Sequence, residues 1–190
     1  MQTKRQIQII EKSIELIASK GIQGFTIKNL SKAIGISEPA IYRHFKNKTE
    51  ILISILNNFK EMSELISVIV VHNDDTAIEK IESMFSKMIE IFIEQPTFVS
   101  VIFSEEIFKN QEILIHKIVE ILNLHQENIE KIIEIGQNKN EIRTDIDKSS
   151  LALIFMGSLR LLVKRWDLNN QNFNLKQEGE KLINSIKLII

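Results

Sequence analysis

Polar side chains able to bind nucleic acid crowd into the eleven-residue stretch GISEPAIYRHF, at positions 35–45. Carboxylates accept hydrogen bonds, whereas phenol, guanidinium and protonated imidazole groups donate them, which suits contacts with base edges and phosphates. Ile41 and Phe45 are four residues apart and therefore share one face of a helix, which we expect to be buried. The polar side chains that remain for an outer face are Ser37, Glu38, Tyr42, Arg43 and His44.

The elements around this stretch form a helix-turn-helix pattern. Thr26 is a good N-cap for a short helix, and Gly35 is suited to end it. Ser37 is predicted to cap the next helix, so that two helices of about eight residues are joined through Gly-Ile-Ser. A preceding helix is predicted to stop near Gly21. The residues predicted to face inward are Ile7, Ile10, Ile14, Ile17, Ile27, Leu30, Ala33, Ile34, Ile36, Ile41 and Phe45.

The first residues of the second helix in such a motif face base edges, and its flanks contact phosphates. Glu38, Pro39 and Ala40 are therefore the candidates for base contacts. The Glu38 carboxylate can accept a hydrogen bond from N4 of cytosine, and the Ala40 methyl can contact the thymine methyl. A second interpretation is that Glu38 only stabilises the positive end of its helix. The sequence leaves both interpretations open.

Charge is distributed unevenly along the chain. Residues 1–60 carry ten Lys/Arg and four Asp/Glu, a net charge of +6; residues 61–190 carry fourteen and twenty-one, a net charge of −7, and the two sum to −1. A basic N-terminal part suits a polyanionic partner, because cations that neutralise phosphates release condensed counterions. Random scatter of surface charge would also fit, so the assignment depends on the motif.

Composition narrows the remaining classes of protein. Gly and Pro are scarce, at six and two residues, and apolar residues recur at steps of three and four, which predicts an all-α chain of nine helices. The chain has no cysteine and no zinc-binding histidine spacing, so we predict no enzyme, metal centre or cofactor. The longest uncharged run has eleven residues, at 149–159, and no signal peptide is apparent, which predicts a cytoplasmic protein without a membrane segment.

The segment GFTIKNLSKAIGISEPAIYRHFKNKTEIL, at positions 24–52, resembles the DNA-binding head of the TetR family of transcriptional regulators. The run EIRTDIDKSSLALIFMGSLRLLVKRW, at 141–166, is similar to the penultimate helix of many such regulators. We therefore predict a three-helix DNA-binding domain at 1–47, with its motif at about 26–45, and a helical effector-binding and dimerisation domain at 48–190. The residues that carry the resemblance are Thr26, Ala33, Gly35, Ser37, Tyr42, His44, Phe45, Lys48 and Glu50.

The resemblance implies that the position of His44 approaches the DNA backbone, where Tyr42, Arg43 and Lys48 are also phosphate candidates. Thr26 and Lys28 can contact phosphates from the start of the preceding helix. Asn47-Lys48-Thr49-Glu50 is a predicted capping box for the fourth helix, whose N-terminus adds backbone donors. The complete predicted DNA-binding set is Thr26, Lys28, Ser37, Glu38, Pro39, Ala40, Tyr42, Arg43, His44 and Lys48.

The resemblance further implies a homodimer in which the last two helices pair, and a body that encloses an effector pocket. Flexible methionines suit an adaptable pocket wall, although a plain core is the favoured interpretation for most of the candidates. Gly157 and Ser158 permit close helix–helix approach, consistent with the dimer. The candidate pocket residues are Met84, Met88, Phe92, Phe103, Phe108, Phe155 and Met156.

The predicted function is a sequence-specific DNA-binding transcriptional regulator. It would repress from a pseudo-palindromic, double-stranded operator and be released by an apolar or amphipathic small molecule. A second interpretation rests on the similarity of GISEPAIYRHF and the following Lys48-Thr49 to the nucleoid-occlusion factors of the same fold. In that interpretation the DNA-bound protein docks a protein partner instead of a small ligand.

Overall fold

The computed structural model describes residues 2–71, 75–103 and 111–190 of the chain. Within these ranges the regular structure is helical and no strand occurs, which confirms the predicted all-α fold. The number of helices in the described ranges is nine, as predicted. They are α1 (Lys4–Gly24), α2 (Ile27–Ile34), α3 (Glu38–Tyr42), α4 (Lys48–Val71), α5 (Ala77–Glu94), α6 (Pro96–Ile102), α7 (Glu112–Asn138), α8 (Lys148–Leu168) and α9 (Leu175–Lys187).

The chain divides into two compact units. The first consists of Met1–Lys60 and Thr97–Val119, and the second of Glu61–Pro96 and Glu120–Ile190. Helices α4 and α7 contribute residues to both units. The predicted domain boundary after residue 47 stays a prediction.

In the first unit, α1 packs against α2 and α2 packs against α3. Apolar side chains on these helices and on the first half of α4 are buried. Complete burial of such a side chain contributes about 1.5–3 kcal/mol, so this cluster is what holds the short helices α2 and α3 in place. Its members include Ile9, Ile10, Ile14, Leu16, Ile17, Phe25, Leu30, Ile41, Phe45, Ile51, Leu52, Ile55 and Leu56.

Several residues predicted to face inward are not buried. Ile7 and Ala33 are exposed, and three others, Ile27, Ile34 and Ile36, are half-buried. A polar residue, Ser13, is fully buried instead. Its hydroxyl donates a hydrogen bond of 2.7 Å to the Ile9 carbonyl, which removes the cost of burying it.

The predicted helix ends are mostly confirmed. The Thr26 hydroxyl oxygen accepts a hydrogen bond from the Asn29 N–H at 3.1 Å, and Gly35 ends α2 in the left-handed conformation with φ of 76°. Gly21, with φ of 65°, interrupts α1 at the predicted stop, and the helix resumes to Gly24. Ser37 occupies the N-cap position of α3, but its side chain makes no cap hydrogen bond, so the predicted side-chain cap is wrong.

In the second unit, α5, α8 and α9 pack against one another. The rings of Phe85 and Phe155 meet edge to face, with centroids 5.4 Å apart. A side chain at Gly179 would collide with Ile89, so the glycine permits close approach of α9 to α5. Among the described helices, none has the length and apolar content needed to cross a membrane.

We expect His125 to make the second unit sensitive to acid. Burial lowers the pKa of His125 to about 4, whereas an unfolded chain protonates this side chain near 6.5. The unfolded state therefore takes up a proton first as the pH falls below 6.5, and this favours unfolding until the folded state is protonated near pH 4. We expect His125 to cost the folded protein about 2 kcal/mol between pH 7 and pH 5.

Urea unfolding of the wild type and His125→Gln at these two pH values measures this cost. The variant should lose less stability than the wild type on acidification by about that amount. His116→Gln is the matched control, because the His116 side chain is exposed. An identical pH dependence of the wild type and His125→Gln would contradict the expectation.

Candidate nucleic-acid interface

Helix α3 is shorter than predicted, because it spans five residues, Glu38–Tyr42. Pro39 lies in its first turn, where its missing N–H costs no helical hydrogen bond. The turn continues beyond the helix, since the His44 and Phe45 N–H groups both donate to the Ile41 carbonyl, at 2.9 and 3.1 Å. Ile41 and Phe45 are buried, which anchors α3 by one face as the sequence predicts.

The opposite side of α3 is open to solvent. Tyr42 is 49% exposed, and Glu38, Pro39 and Arg43 are also exposed, whereas Ala40 and His44 are half-buried. The His44 carbonyl accepts a hydrogen bond of 3.4 Å from Nε2 of Gln6, so α1 helps to hold the end of the turn. Sequence reasoning missed the contribution of Gln6, because it depends on a contact between distant segments.

The starts of α2 and α3 add further exposed polar groups. Thr26, Lys28 and Ser37 are exposed. Thr26 uses its oxygen as a helix cap, but a hydroxyl that accepts in this way still has a proton to donate. Ser37 makes no side-chain cap bond, so α3 does not use its hydroxyl. The side chains of these three residues are therefore open to solvent.

Lys48 differs from the other predicted phosphate ligands. Its Nζ atom lies 4.9 Å from the centroid of the Phe25 ring and 3.4 Å from the Ile22 carbonyl oxygen. Burial lowers the pKa of Lys48. The ammonium group is thus engaged inside the first unit, a contact that no local spacing in the sequence reveals.

Lys46 is an exposed cation that sequence reasoning did not select. Its side chain is 88% exposed, and its Nζ atom lies 4.0 Å from Oε1 of Glu50. The Glu50 carboxylate also accepts a hydrogen bond of 2.7 Å from the Lys46 N–H. Asn47 accepts from the Glu50 N–H at 2.9 Å. The predicted capping box therefore forms with a return bond to Lys46 in place of Asn47.

The candidate pocket residues fall into different parts of the described chain. Met84 and Phe92 on α5 and Phe155 on α8 are buried in the second unit. Met88 and Met156 belong to the same unit and are half-buried. Phe103 is half-buried and belongs to the first unit. Phe108 lies outside the described residues.

Helix α8 exposes an apolar stripe opposite its buried face. Leu153, Leu161 and Leu168 are 65%, 62% and 70% exposed, and Ile154 is also exposed. Gly157 lies in the same stripe at the i+4 spacing, with open space where a side chain would be. A stripe of this kind on a helix is typical of a surface that another helix covers.

The described residues contain no group of three or more His, Cys, Asp or Glu side chains that could hold a metal ion. A short second helix of a helix-turn-helix with one solvent-exposed face, in an N-terminal part of the chain that carries a net charge of +6, is typical of DNA-binding regulators.

Comparison with known proteins identifies the family. Residues 9–55 match the model for bacterial regulatory proteins of the tetR family, and residues 77–189 match the C-terminal region of MAATS-type transcriptional repressors. The second match alone covers more than half of the chain. The protein therefore belongs to the tetR family. It is a DNA-binding transcriptional regulator that forms a homodimer and responds to a small-molecule effector.

The relatives that match along most of their length include a metabolic regulator and a nucleoid occlusion factor. The fatty acid metabolism regulator protein of Bacillus subtilis (strain 168) is 28% identical over 180 residues, which cover 92% of this chain and 91% of the relative. The nucleoid occlusion factor SlmA of Glaesserella parasuis serovar 5 (strain SH0165) is 26% identical over 188 residues, which cover 97% of this chain and 91% of that protein.

The solved structures that show the same fold include two in complex with acyl derivatives of coenzyme A. FadR from Bacillus subtilis in complex with stearoyl-CoA has a TM-score of 0.84 and 24% identity, covering 97% of this chain and 98% of FadR. AibR in complex with isovaleryl coenzyme A and operator DNA has a TM-score of 0.81 and 18% identity, covering 96% and 97%.

Proposed function

We propose that this protein represses transcription from a pseudo-palindromic operator and is released when a fatty acyl-coenzyme A thioester binds its C-terminal part. The observation that carries the proposal is the similarity, over 92% of the chain, to the fatty acid metabolism regulator of Bacillus subtilis. The folds of FadR with stearoyl-CoA and AibR with isovaleryl coenzyme A and DNA support the same class of effector. The proposed activity is regulation without catalysis.

The proposed DNA contacts are divided according to their positions on α2 and α3. Glu38, Pro39 and Ala40 begin α3 and are assigned to base edges, because the first turn of the second helix enters the major groove. Phosphate contacts are assigned to the side chains that flank this turn. They are Thr26, Lys28, Ser37, Tyr42, Arg43, His44 and Lys48.

The proposed acyl-chain site is formed by the apolar side chains of α5 and α8. These helices pack together in the second unit, and the Phe85–Phe155 contact shows aromatic side chains at their junction. Met84, Met88 and Met156 add flexible thioether side chains, which adapt to an alkyl chain more easily than branched residues do. The thioester must bind the DNA-free state better than the DNA-bound state, since only differential affinity shifts the equilibrium.

The proposed dimer interface is the exposed apolar stripe of α8, together with α9. A twofold axis at this stripe would pair two identical surfaces, so that the stripe of one protomer contacts the same stripe of its partner. The resulting dimer presents two copies of α3 to two half-sites, which accounts for a pseudo-palindromic operator.

Fluorescence anisotropy of a labelled genomic duplex that the protein protects tests the proposed effector. Saturating stearoyl-CoA is expected to weaken DNA affinity by about tenfold or more. An effector that prefers the DNA-free state lowers the affinity for DNA by the same factor by which DNA lowers the affinity for the effector. It should also raise the melting temperature of the DNA-free protein. Free coenzyme A and stearate are the controls for the two halves of the molecule.

Both measurements are repeated with acyl-coenzyme A thioesters of several chain lengths, so that effectors with a chain other than stearoyl are also tested. If no acyl-coenzyme A changes either the DNA affinity or the melting temperature, the proposed effector is wrong. A protein that copurifies with this chain in a stoichiometric amount would then favour the nucleoid-occlusion interpretation, in line with the similarity to SlmA.

A further inference from the structure

The start of α5 is held by a residue that lies far from it in the sequence. A helix has no internal partners for its first N–H groups. Thr76 and Glu79 form a capping box, in which each side chain accepts a hydrogen bond from the backbone N–H of the other. The next N–H, that of Ala77, instead donates to Oε2 of Glu141 at 2.6 Å, across 64 residues of the chain. Glu141 thus binds a donor that the capping box does not use.

The end of α7 determines where Glu141 lies. Asn140 follows this helix in the left-handed conformation with φ of 58°. The N–H of Asn140 donates to the Gln137 carbonyl at 3.2 Å, and that of Glu141 donates to the Gly136 carbonyl at 2.8 Å. This pair of bonds is the Schellman motif of helix ends. The following residue, Ile142, is buried, so the backbone on both sides of Glu141 is fixed.

Gly136 allows the end of α7 to approach the start of α5 closely. A Cβ atom at Gly136 would lie 2.6 Å from Cβ of Ala77 and 2.7 Å from Cδ1 of Ile142. Both distances are well below the separation at which carbon atoms attract each other. Ala77 is therefore held by two contacts, the carboxylate of Glu141 and close packing on Gly136.

Helix α5 carries side chains that are assigned to the proposed acyl-chain site. Met84 lies about two helical turns after Ala77. The neighbouring Phe85 ring contacts Phe155 of α8, with the centroids 5.4 Å apart. The position of α5 therefore sets the distance between the two helices that form this site.

Helix α9 holds α5 further along. The Glu82 carboxylate lies 2.7 Å from Nζ of Lys187, and Gly179 packs closely on Ile89. Loss of the Glu141 bond would leave these contacts in place. It would let α5 tilt about them, and a tilt changes the separation of α5 and α8.

We infer that Glu141 is a positioning residue of the effector site, which fixes the start of α5 and thereby the fit of an acyl chain between α5 and α8. The inference rests on the proposed acyl-chain site. A helix held in one position favours acyl chains of one size, whereas a loose helix with flexible methionines repacks around several. Glu141 therefore contributes to selectivity for chain length.

Three substitutions test this role. Glu141→Ala removes the carboxylate, whereas Glu141→Gln keeps an oxygen that accepts a hydrogen bond from the Ala77 N–H. Glu127→Ala is the matched control, because it removes a carboxylate from an exposed residue of α7 in the same unit. Calorimetric titration measures the affinity for stearoyl-CoA and for acyl-coenzyme A thioesters of shorter chain. Hydrogen exchange of the first turn of α5 and DNA affinity without thioester are measured beside it.

Glu141→Ala is expected to lower the affinity for the preferred thioester by about tenfold, because a hydrogen bond to a charged group is lost. The difference in affinity between chain lengths should shrink by a similar factor. Amide exchange in the first turn of α5 should become faster, and DNA affinity without thioester should stay that of the wild type. Glu141→Gln should retain most of the affinity and the selectivity.

Glu141→Asp provides the same comparison if Glu141→Ala does not fold, since it keeps the charge and is one methylene too short for the bond. An unchanged dependence of affinity on chain length, or unchanged exchange at the start of α5, would overturn the inference. A wild-type protein that binds no acyl-coenzyme A would instead show that the proposed function is wrong, and the role of Glu141 in it would be wrong as well.

Discussion

Arg43→Glu is expected to lower operator affinity by about a thousandfold at low salt. Arg43 is exposed at the C-cap position of α3 and is assigned to a phosphate. A hydrogen bond between charged groups contributes about 1.5–3 kcal/mol, and a dimer loses two of them. The new carboxylates add repulsion from the DNA backbone. The loss should shrink as salt rises, because screening weakens both terms.

Anisotropy titrations of the wild type and two other variants show whether the loss of affinity is specific to the charge of Arg43. Arg43→Lys keeps the charge and should retain most of the affinity. Lys139→Glu makes the same reversal of charge at an exposed residue of the second unit and should bind nearly as the wild type does. Equal affinities of Arg43→Glu and Lys139→Glu would show that α3 is not the surface that meets DNA.

Leu161→Glu is expected to convert the homodimer into monomers. Leu161 is 62% exposed in the middle of the apolar stripe on α8, so its substitution leaves the fold of one protomer intact. In the proposed interface the variant would bury two facing carboxylates without partners, and it would lose the burial of two leucines, each worth about 1.5–3 kcal/mol. We expect the dimer dissociation constant to rise by about a thousandfold or more. Operator affinity should fall with it, because a monomer reads a single half-site.

Sedimentation velocity measures the change of mass, and circular dichroism verifies that the helices remain. Ile135→Glu is the control, since it makes the same type of change on an exposed residue of α7. A dimeric Leu161→Glu protein with wild-type affinity for DNA would place the interface elsewhere on the molecule.

Much of the fold follows from local rules that the sequence displays. Thr26 and Gly35 bound α2 because their side-chain and backbone preferences act within one helical turn. Ile41 and Phe45 anchor α3 because a spacing of four places both on one helical face. The roles of the exposed residues were inferred from the resemblance to the family, and these roles are still proposals.

Features that depend on contacts between distant segments could not be predicted. The hydrogen bond from Gln6 to the His44 carbonyl joins residues that are 38 positions apart, so no local pattern in the sequence indicates it. The contact of Lys48 with the Phe25 ring joins two segments that are far apart in the sequence, so the sequence did not reveal it. Helix α8 is apolar on two faces, and only the structure separates the buried Phe155 face from the exposed Leu153 face.

The measurement that tests the central claim most directly is a footprint of the purified wild-type protein on genomic DNA fragments, with and without stearoyl-CoA. We predict protection of a pseudo-palindromic sequence whose half-sites lie about one helical turn, or ~34 Å, apart. Stearoyl-CoA should abolish this protection. If no fragment competes better than random DNA at moderate salt, the protein is not the sequence-specific, ligand-released repressor described above.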